Sequence, residues 1–199
     1  MWKKYKKEKG GTSVLPIKRI LEEDTRISGT DKTLIDFWNW GFSDLLSNSL
    51  RGIFAEFLVG SALDCINQSR IDWDAYDLIY RGKKIEVKSA AYVQSWHTDT
   101  FSKIGFNIGV KREYSYTTRK YSTEIKRHAD IYVFCLLKEK DIDTLDPMNV
   151  NHWEFYIVLT KILDERFPNQ KTISLSSLSK IVKPVKYGEL KSKIDELYK

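Results

Sequence analysis

The apolar positions of this chain fall into blocks with different periods, and each block predicts an element. From Ser49 to Cys65 the residues Leu50, Ile53, Phe54, Phe57, Leu58, Ala62 and Cys65 recur at helical spacing, which predicts an amphipathic helix. An earlier helix is expected from Thr30, with Thr30–Asp31 as its cap. It would be interrupted at Gly41, and its aromatic residues Phe37, Trp38, Trp40 and Phe42 are expected in the core. The period then changes to two. Leu78–Ile79–Tyr80 and Ile85–Glu86–Val87–Lys88 flank Arg81–Gly82–Lys83, the pattern of a β-hairpin. Alternation puts Glu86 and Lys88 on one face, and Ile85 and Val87 on the other.

Further along, Ser89 to Trp96 fits either a helix start or an irregular strand end, and Ile104 to Val110 is β-like. The unbroken apolar run Ile131–Leu137 predicts a strand buried on both faces. His152 to Leu159 predicts another strand, and Thr160 to Phe167 a short helix ended by Pro168–Asn169. Ser174 or Ser176 can cap a helical segment through Ile181. Gly188 to Tyr198 closes the chain with a helix on Leu190, Ile194 and Leu197. Helices, then strands, then short helices imply an α/β fold with a small mixed sheet flanked by helices. Residues 30–199 read as a single domain, and residues 1–29 as a basic tail and lead-in.

Composition narrows the setting. The chain has 199 residues, 42% hydrophobic and 13% aromatic, which suits a folded domain with a substantial core. A formal net charge of +6 favours an anionic partner without requiring one. Five lysines lie within the first eleven residues, interleaved with Trp2 and Tyr5, as a solvated tail or a phosphate-contacting arm. No apolar run is long enough to cross a bilayer, and the two cysteines, Cys65 and Cys135, sit among apolar residues. These features lead us to expect a cytoplasmic protein with reduced, buried thiols and no membrane partner.

The candidate chemistry lies in the hairpin. Asp77 opens the first strand and Glu86 and Lys88 share a face of the second, so two carboxylates and an ammonium can converge at one sheet edge. Such a set can hold Mg²⁺ beside a phosphodiester; the alternative is a surface salt-bridged hairpin. Glu-x-Lys also occurs at Glu124–Lys126 and Glu189–Lys191, but only Glu86–Val87–Lys88 follows a turn in a β-prone run with an aspartate on the partner strand. Asp74 rivals Asp77 less well, because strand geometry does not tie it to Glu86. Glu56 sits at the edge of the long helix's apolar stripe, with Gly52 and Gly60 one turn to either side, so another element can approach it closely. Gln94 carries an amide suited to a phosphate or a metal-bound water. Lys111, Arg112, Arg119, Lys120, Lys126 and Arg127, interleaved with tyrosines, form either a nucleic-acid-binding segment or a solvated loop. His97, His128 and His152 are isolated and receive no catalytic role.

Asp77, eight intervening residues and Glu86–Val87–Lys88 resemble the motif of the PD-(D/E)XK nuclease superfamily, and Glu56 and Gln94 resemble additions found in some of its branches. Tyr76 stands where the motif has proline. A longer resemblance, through Phe37–Trp38–Asn39–Trp40, Arg51–Gly52 and Trp153–Glu154–Phe155–Tyr156, is to small bacterial members of that superfamily. The resemblance implies a restriction-endonuclease-like three-layer core and a Mg²⁺-dependent deoxyribonuclease, with Mn²⁺ able to substitute. Asp77, Glu86, the Val87 carbonyl and Glu56 would hold the metal, Lys88 would serve the attacking water, and Gln94 would complete the catalytic set. DNA would be the substrate and a homodimer is possible; a nucleic-acid-binding protein without turnover is the alternative.

Overall fold

The computed structural model describes residues 21–67, 70, 75–115 and 120–198. The lysine-rich tail, Asp74 and Arg119 lie outside them. Among the described residues, no helix is long and apolar enough to cross a membrane.

The chain is a mixed α/β structure. Helix α1 (Leu34–Phe42) starts at Thr33, not Thr30, because Thr33 and Asp36 close a capping box: Asp36 Oδ2 accepts from the Thr33 N–H at 2.8 Å. The Thr30 hydroxyl instead donates to the Ile27 carbonyl in the preceding turn. Gly41 does not interrupt the helix. The expectation of a buried aromatic group fails: α1 has no buried residue, and Trp40 is 85% exposed. Helical spacing aligned these rings on a stripe, but no described element covers it.

Helix α2 (Asn48–Leu63) is capped by the Ser47 side chain and ends at Asp64 in the left-handed region, φ 57°. Its buried face runs through Arg51, Ala55, Leu58, Val59 and Leu63, rotated from the predicted stripe, and Phe57 is exposed. Small Ala55 and Gly60 let the helix lie close to the sheet, while Phe54 and Phe57 stack on its flank at 6.2 Å.

The hairpin forms as predicted. Strands β1 (Leu78–Tyr80) and β2 (Lys83–Ala91) pair antiparallel, Leu78 opposite Ile85 and Tyr80 opposite Lys83. Arg81 and Gly82 both take positive φ, 48° and 75°, as a two-residue hairpin turn with the right twist requires. Strand β3 (Gly105–Asn107) is followed by a small hairpin of β4 (Tyr114–Ser115) and β5 (Lys120–Tyr121). Strand β6 (Ile131–Leu137) is wholly buried, as expected. It pairs parallel with β2 and antiparallel with β7 (Trp153–Leu159), giving a four-stranded sheet ordered β1-β2-β6-β7. Helix α3 (Thr160–Arg166) precedes β8 (Thr172–Ser174), which pairs with β3; α4 (Leu175–Leu178) and α5 (Leu190–Glu196) complete the chain. Strand β8 was not anticipated, because three residues carry too little pattern.

The sheet has a core on each side. Ala55, Val59, Ile85, Val133, Cys135, Phe155 and Ile194 join α2 and α5 to one face. Phe106, Phe134, Tyr156, Leu163 and Ile173 join β3, β8 and α3 to the other. Cys135 is buried and Cys65 half-buried, both as free thiols.

The two α2 glycines differ. A methyl at Gly60 would meet Ile66 and lie 3.2 Å from Leu78, whereas one at Gly52 would meet nothing within 4 Å. Gly60 is therefore what lets α2 approach β1. Gly52→Ala is expected to raise stability by about 0.5–1 kcal/mol through helix propensity. Gly60→Ala is expected to lower it by about 1–3 kcal/mol through overpacking. Urea unfolding of the pair measures both.

Candidate active site

Glu86 leaves the sheet on the face away from α2, in a strand where every neighbour is packed. Only 3% of it is exposed. A buried carboxylate needs charged partners, and two are present. Lys88, two residues along the same strand face, donates from Nζ to Glu86 Oε1 at 2.6 Å. Lys111 donates to both carboxylate oxygens, at 3.0 and 3.2 Å. A β-bridge between Lys111 and Lys126 holds Lys111 there, and its carbonyl lies 2.8 Å from His128 Nε2.

Asp77 stands directly across the hairpin. Its N–H donates to the Ile85 carbonyl at 3.0 Å, and its Oδ2 accepts from the Val87 N–H at 2.6 Å. The side chain thus continues the β1–β2 ladder one step past the end of β1. The N–H and C=O of a strand residue point the same way, so the Val87 carbonyl faces this edge too. Burial, then repulsion from Glu86 and Glu56, push the Asp77 carboxyl up from its ordinary 3.8 to about 7, against the pull of Lys88 and the Val87 N–H. Glu56 approaches from α2, where Arg70 pairs with it, donating from Nη2 to Oε1 at 2.9 Å and from Nε to Oε2.

The structure thus brings Asp77, Glu86, Lys88 and Glu56 into one electrostatic neighbourhood. Among the described residues no three Asp, Glu, His or Cys side chains already sit at metal-ligand spacing. The donor set still suits Mg²⁺, which commonly takes one or two carboxylates and fills its remaining positions with water and phosphate oxygen. Burial first, and repulsion from Glu86 and Glu56 second, raise the Asp77 carboxyl, and a cation beside it would favour its ionised form.

Other predicted residues go elsewhere. Gln94 is buried and turned to α2: its Oε1 accepts from Arg51 Nη1 at 2.6 Å, and its Nε2 donates to the Ala91 carbonyl at 3.1 Å. Arg51 also donates to the Leu46 carbonyl and to Asn48, and burial pushes its guanidinium down to about 10. Arg127 is buried too, donating to the Ile108 carbonyl at 2.7 Å, the Phe167 carbonyl at 2.8 Å and Asp164 at 2.5 Å. Its guanidinium is committed to the fold, not offered to solvent. Arg112, Lys120 and Lys126 are exposed, Lys126 beside Glu124 at 2.7 Å. The sequence reading missed Arg51, whose signal was a charge on the apolar side of α2, and the pairing of Lys111 with Glu86, which a 25-residue separation conceals.

Residues 11–177 match the family model described as bacteriophage T4 endonuclease IV. The match spans α2, the hairpin and the loop before β8, and stops short of α5. A comparison with curated proteins returns no match.

Folding raises the pKa of Asp77, so between about pH 4 and pH 7 the folded protein holds a proton that the unfolded chain has released. Without divalent ions, stability is therefore expected to fall as pH rises through that window. Asp77→Asn, which keeps an acceptor for the Val87 N–H, is expected to flatten the slope and be more stable at pH 8 by about 2 kcal/mol. Urea unfolding in EDTA at pH 5 and pH 8 provides the comparison.

Proposed function

We propose that this chain, which belongs to the bacteriophage T4 endonuclease IV family, is a metal-dependent deoxyribonuclease whose Asp77/Glu86–Val87–Lys88 site hydrolyses DNA phosphodiester bonds. Family membership supports nuclease activity in general. The site assignment rests on one observation: buried Asp77 accepts from the Val87 N–H, next in the strand to Glu86, near enough that burial and then Glu86 push its carboxyl to about 7, with the Lys88 ammonium 2.6 Å from Glu86. The same pattern supports a place in the PD-(D/E)XK superfamily.

In this reading Asp77, Glu86 and the Val87 carbonyl would hold Mg²⁺, or Mn²⁺ in its place, with Glu56 completing the set. When bound, the ion would supply Lewis acidity to the phosphate and lower the pKa of the attacking water. Lys88 leaves Glu86 far enough to hold that water in line and to balance charge on the non-bridging oxygens. Lys111, tethered by its bridge to Lys126, offers a second cation on the same side. Water oxygen bonds to phosphorus and releases a proton to solvent, the P–O bond to the leaving oxygen breaks, and that oxygen takes a proton back from solvent, so that one water is added across the bond. Exposed Arg112, Lys120 and Lys126 would follow the flanking phosphates, with Arg119 in the same segment. A homodimer would set two such sites against the two strands of a duplex.

The test is cleavage of single- and double-stranded DNA with Mg²⁺ or Mn²⁺. Lys88→Ala, Glu86→Gln and Asp77→Asn are each expected to lower the rate by roughly a hundredfold or more, and Glu56→Gln by less. Asp77→Asn should do so while unfolding no more easily than wild type. Salt-dependent DNA binding without cleavage in any substrate or metal would replace this reading with the non-catalytic one.

A further inference from the structure

The face that carries Glu86 opens into a cavity of about 450 Å³, large enough for one nucleotide. Its ends differ chemically. Glu86, Lys88 and Lys111 form the charged end, which is the site described above. Asn107, Asn169 and Gln170 form the far wall, with Lys171 at its rim. A track for phosphates alone would call for cations throughout. Three neutral amides offer paired donors and acceptors, the chemistry that meets a base edge.

The far wall is built rather than incidental. Strands β3 and β8 pair with Asn107 opposite Thr172, and Ile108 N–H continues the contact to the Lys171 carbonyl at 2.8 Å. Gly109 leaves room for the Asn107 amide: a methyl there would come within 3.3 Å of Asn107 Oδ1, while meeting Lys171 Cα at an ordinary contact distance of 3.7 Å. Asn107 Oδ1 accepts from the Gly109 N–H at 2.8 Å, which aligns its amide and leaves the NH₂ as donor. Buried Arg127 ties the two segments of this wall together through the Ile108 and Phe167 carbonyls. Pro168 follows directly and leads into Asn169–Gln170, whose amides make no hydrogen bond among the described residues.

We infer that this cavity is a subsite for one nucleotide adjoining the scissile phosphate, with Asn169 and Gln170 reading the base edge and Asn107 supporting them. The inference rests on the proposed nuclease site for its charged end. It makes the cavity a determinant of base preference, separate from the groups that cut.

The experiment measures binding and cutting apart. Fluorescent dA, dC and dT oligonucleotides are titrated by anisotropy in EDTA, with wild type and with Asn169→Ala/Gln170→Ala, whose exposed positions spare the fold. Wild type is expected to separate best from worst base by roughly tenfold, and the double variant to bring them within about twofold by losing affinity for the best. Mapping cut ends on mixed-sequence DNA should show the same flattening at one position. Equal affinities in wild type, or a preference unchanged in the variant, overturn the subsite. If base-selective binding disappears in the variant but wild type never cuts, the subsite stands and the nuclease reading falls. If wild type cuts and the variant keeps its preference, the reverse holds.

Discussion

A carboxylate sealed inside a sheet sets the terms for the rest of this protein. Glu86 has neighbours above, below and on both sides, and its charge is tolerable only because two ammonium groups reach it. Lys88 comes from the strand's own alternation. Lys111 comes from a segment 25 residues away, held by a short bridge and by His128. Substituting a neutral residue would remove that burden at little cost to packing, so the cluster is better understood as equipment than as glue. Asp77 shares the burden, since burial, and after it repulsion from Glu86 and Glu56, pushes its carboxyl up.

Placing those charges depends on a register that several distant contacts fix. The hairpin turn puts Arg81 in a left-handed conformation, and Arg81 pairs with Asp195 of α5 at 3.2 Å. Tyr80 donates to the same aspartate at 3.0 Å, and the Tyr198 hydroxyl donates to the Tyr80 carbonyl at 3.0 Å. A slip of one residue would turn Glu86 toward α2 and Ile85 away from the core. Helix α5, beyond the family match, thus braces the turn from which the site is measured. At the other end of β2, Arg51 and Gln94 fasten α2 to the strand's exit, which carries Glu56 toward the same edge.

The two buried arginines share a logic. Arg51 joins a helix N-terminus to a strand end; Arg127 joins β3 to the end of α3. Each meets backbone carbonyls with a planar fork that a lysine could not match. In both cases a residue type associated with phosphate contact is used to hold distant backbone segments together. In the proposed nuclease the phosphates would meet the lysines, while the arginines hold the surrounding fold.

The sequence alone determined the hairpin, the buried central strand, the last helix and the nearness of Asp77, Glu86 and Lys88. Those depend on local rules: a two-residue turn, alternation along a strand, and apolar periodicity strong enough to outweigh context. Asp77 and Glu86 could be paired on paper because a hairpin is short. Tertiary structure alone decided the remainder. It exposed the aromatic stripe of α1, rotated the buried face of α2 and separated Gly60 from Gly52, because spacing orders side chains on a helix without saying what lies against them. It turned Gln94 and Arg127 inward and Lys111 toward Glu86, and it brought β3 to β8 to make a wall of amides. Such contacts join residues far apart in sequence, and no local period records them; only packing the whole chain settles which charge finds which partner.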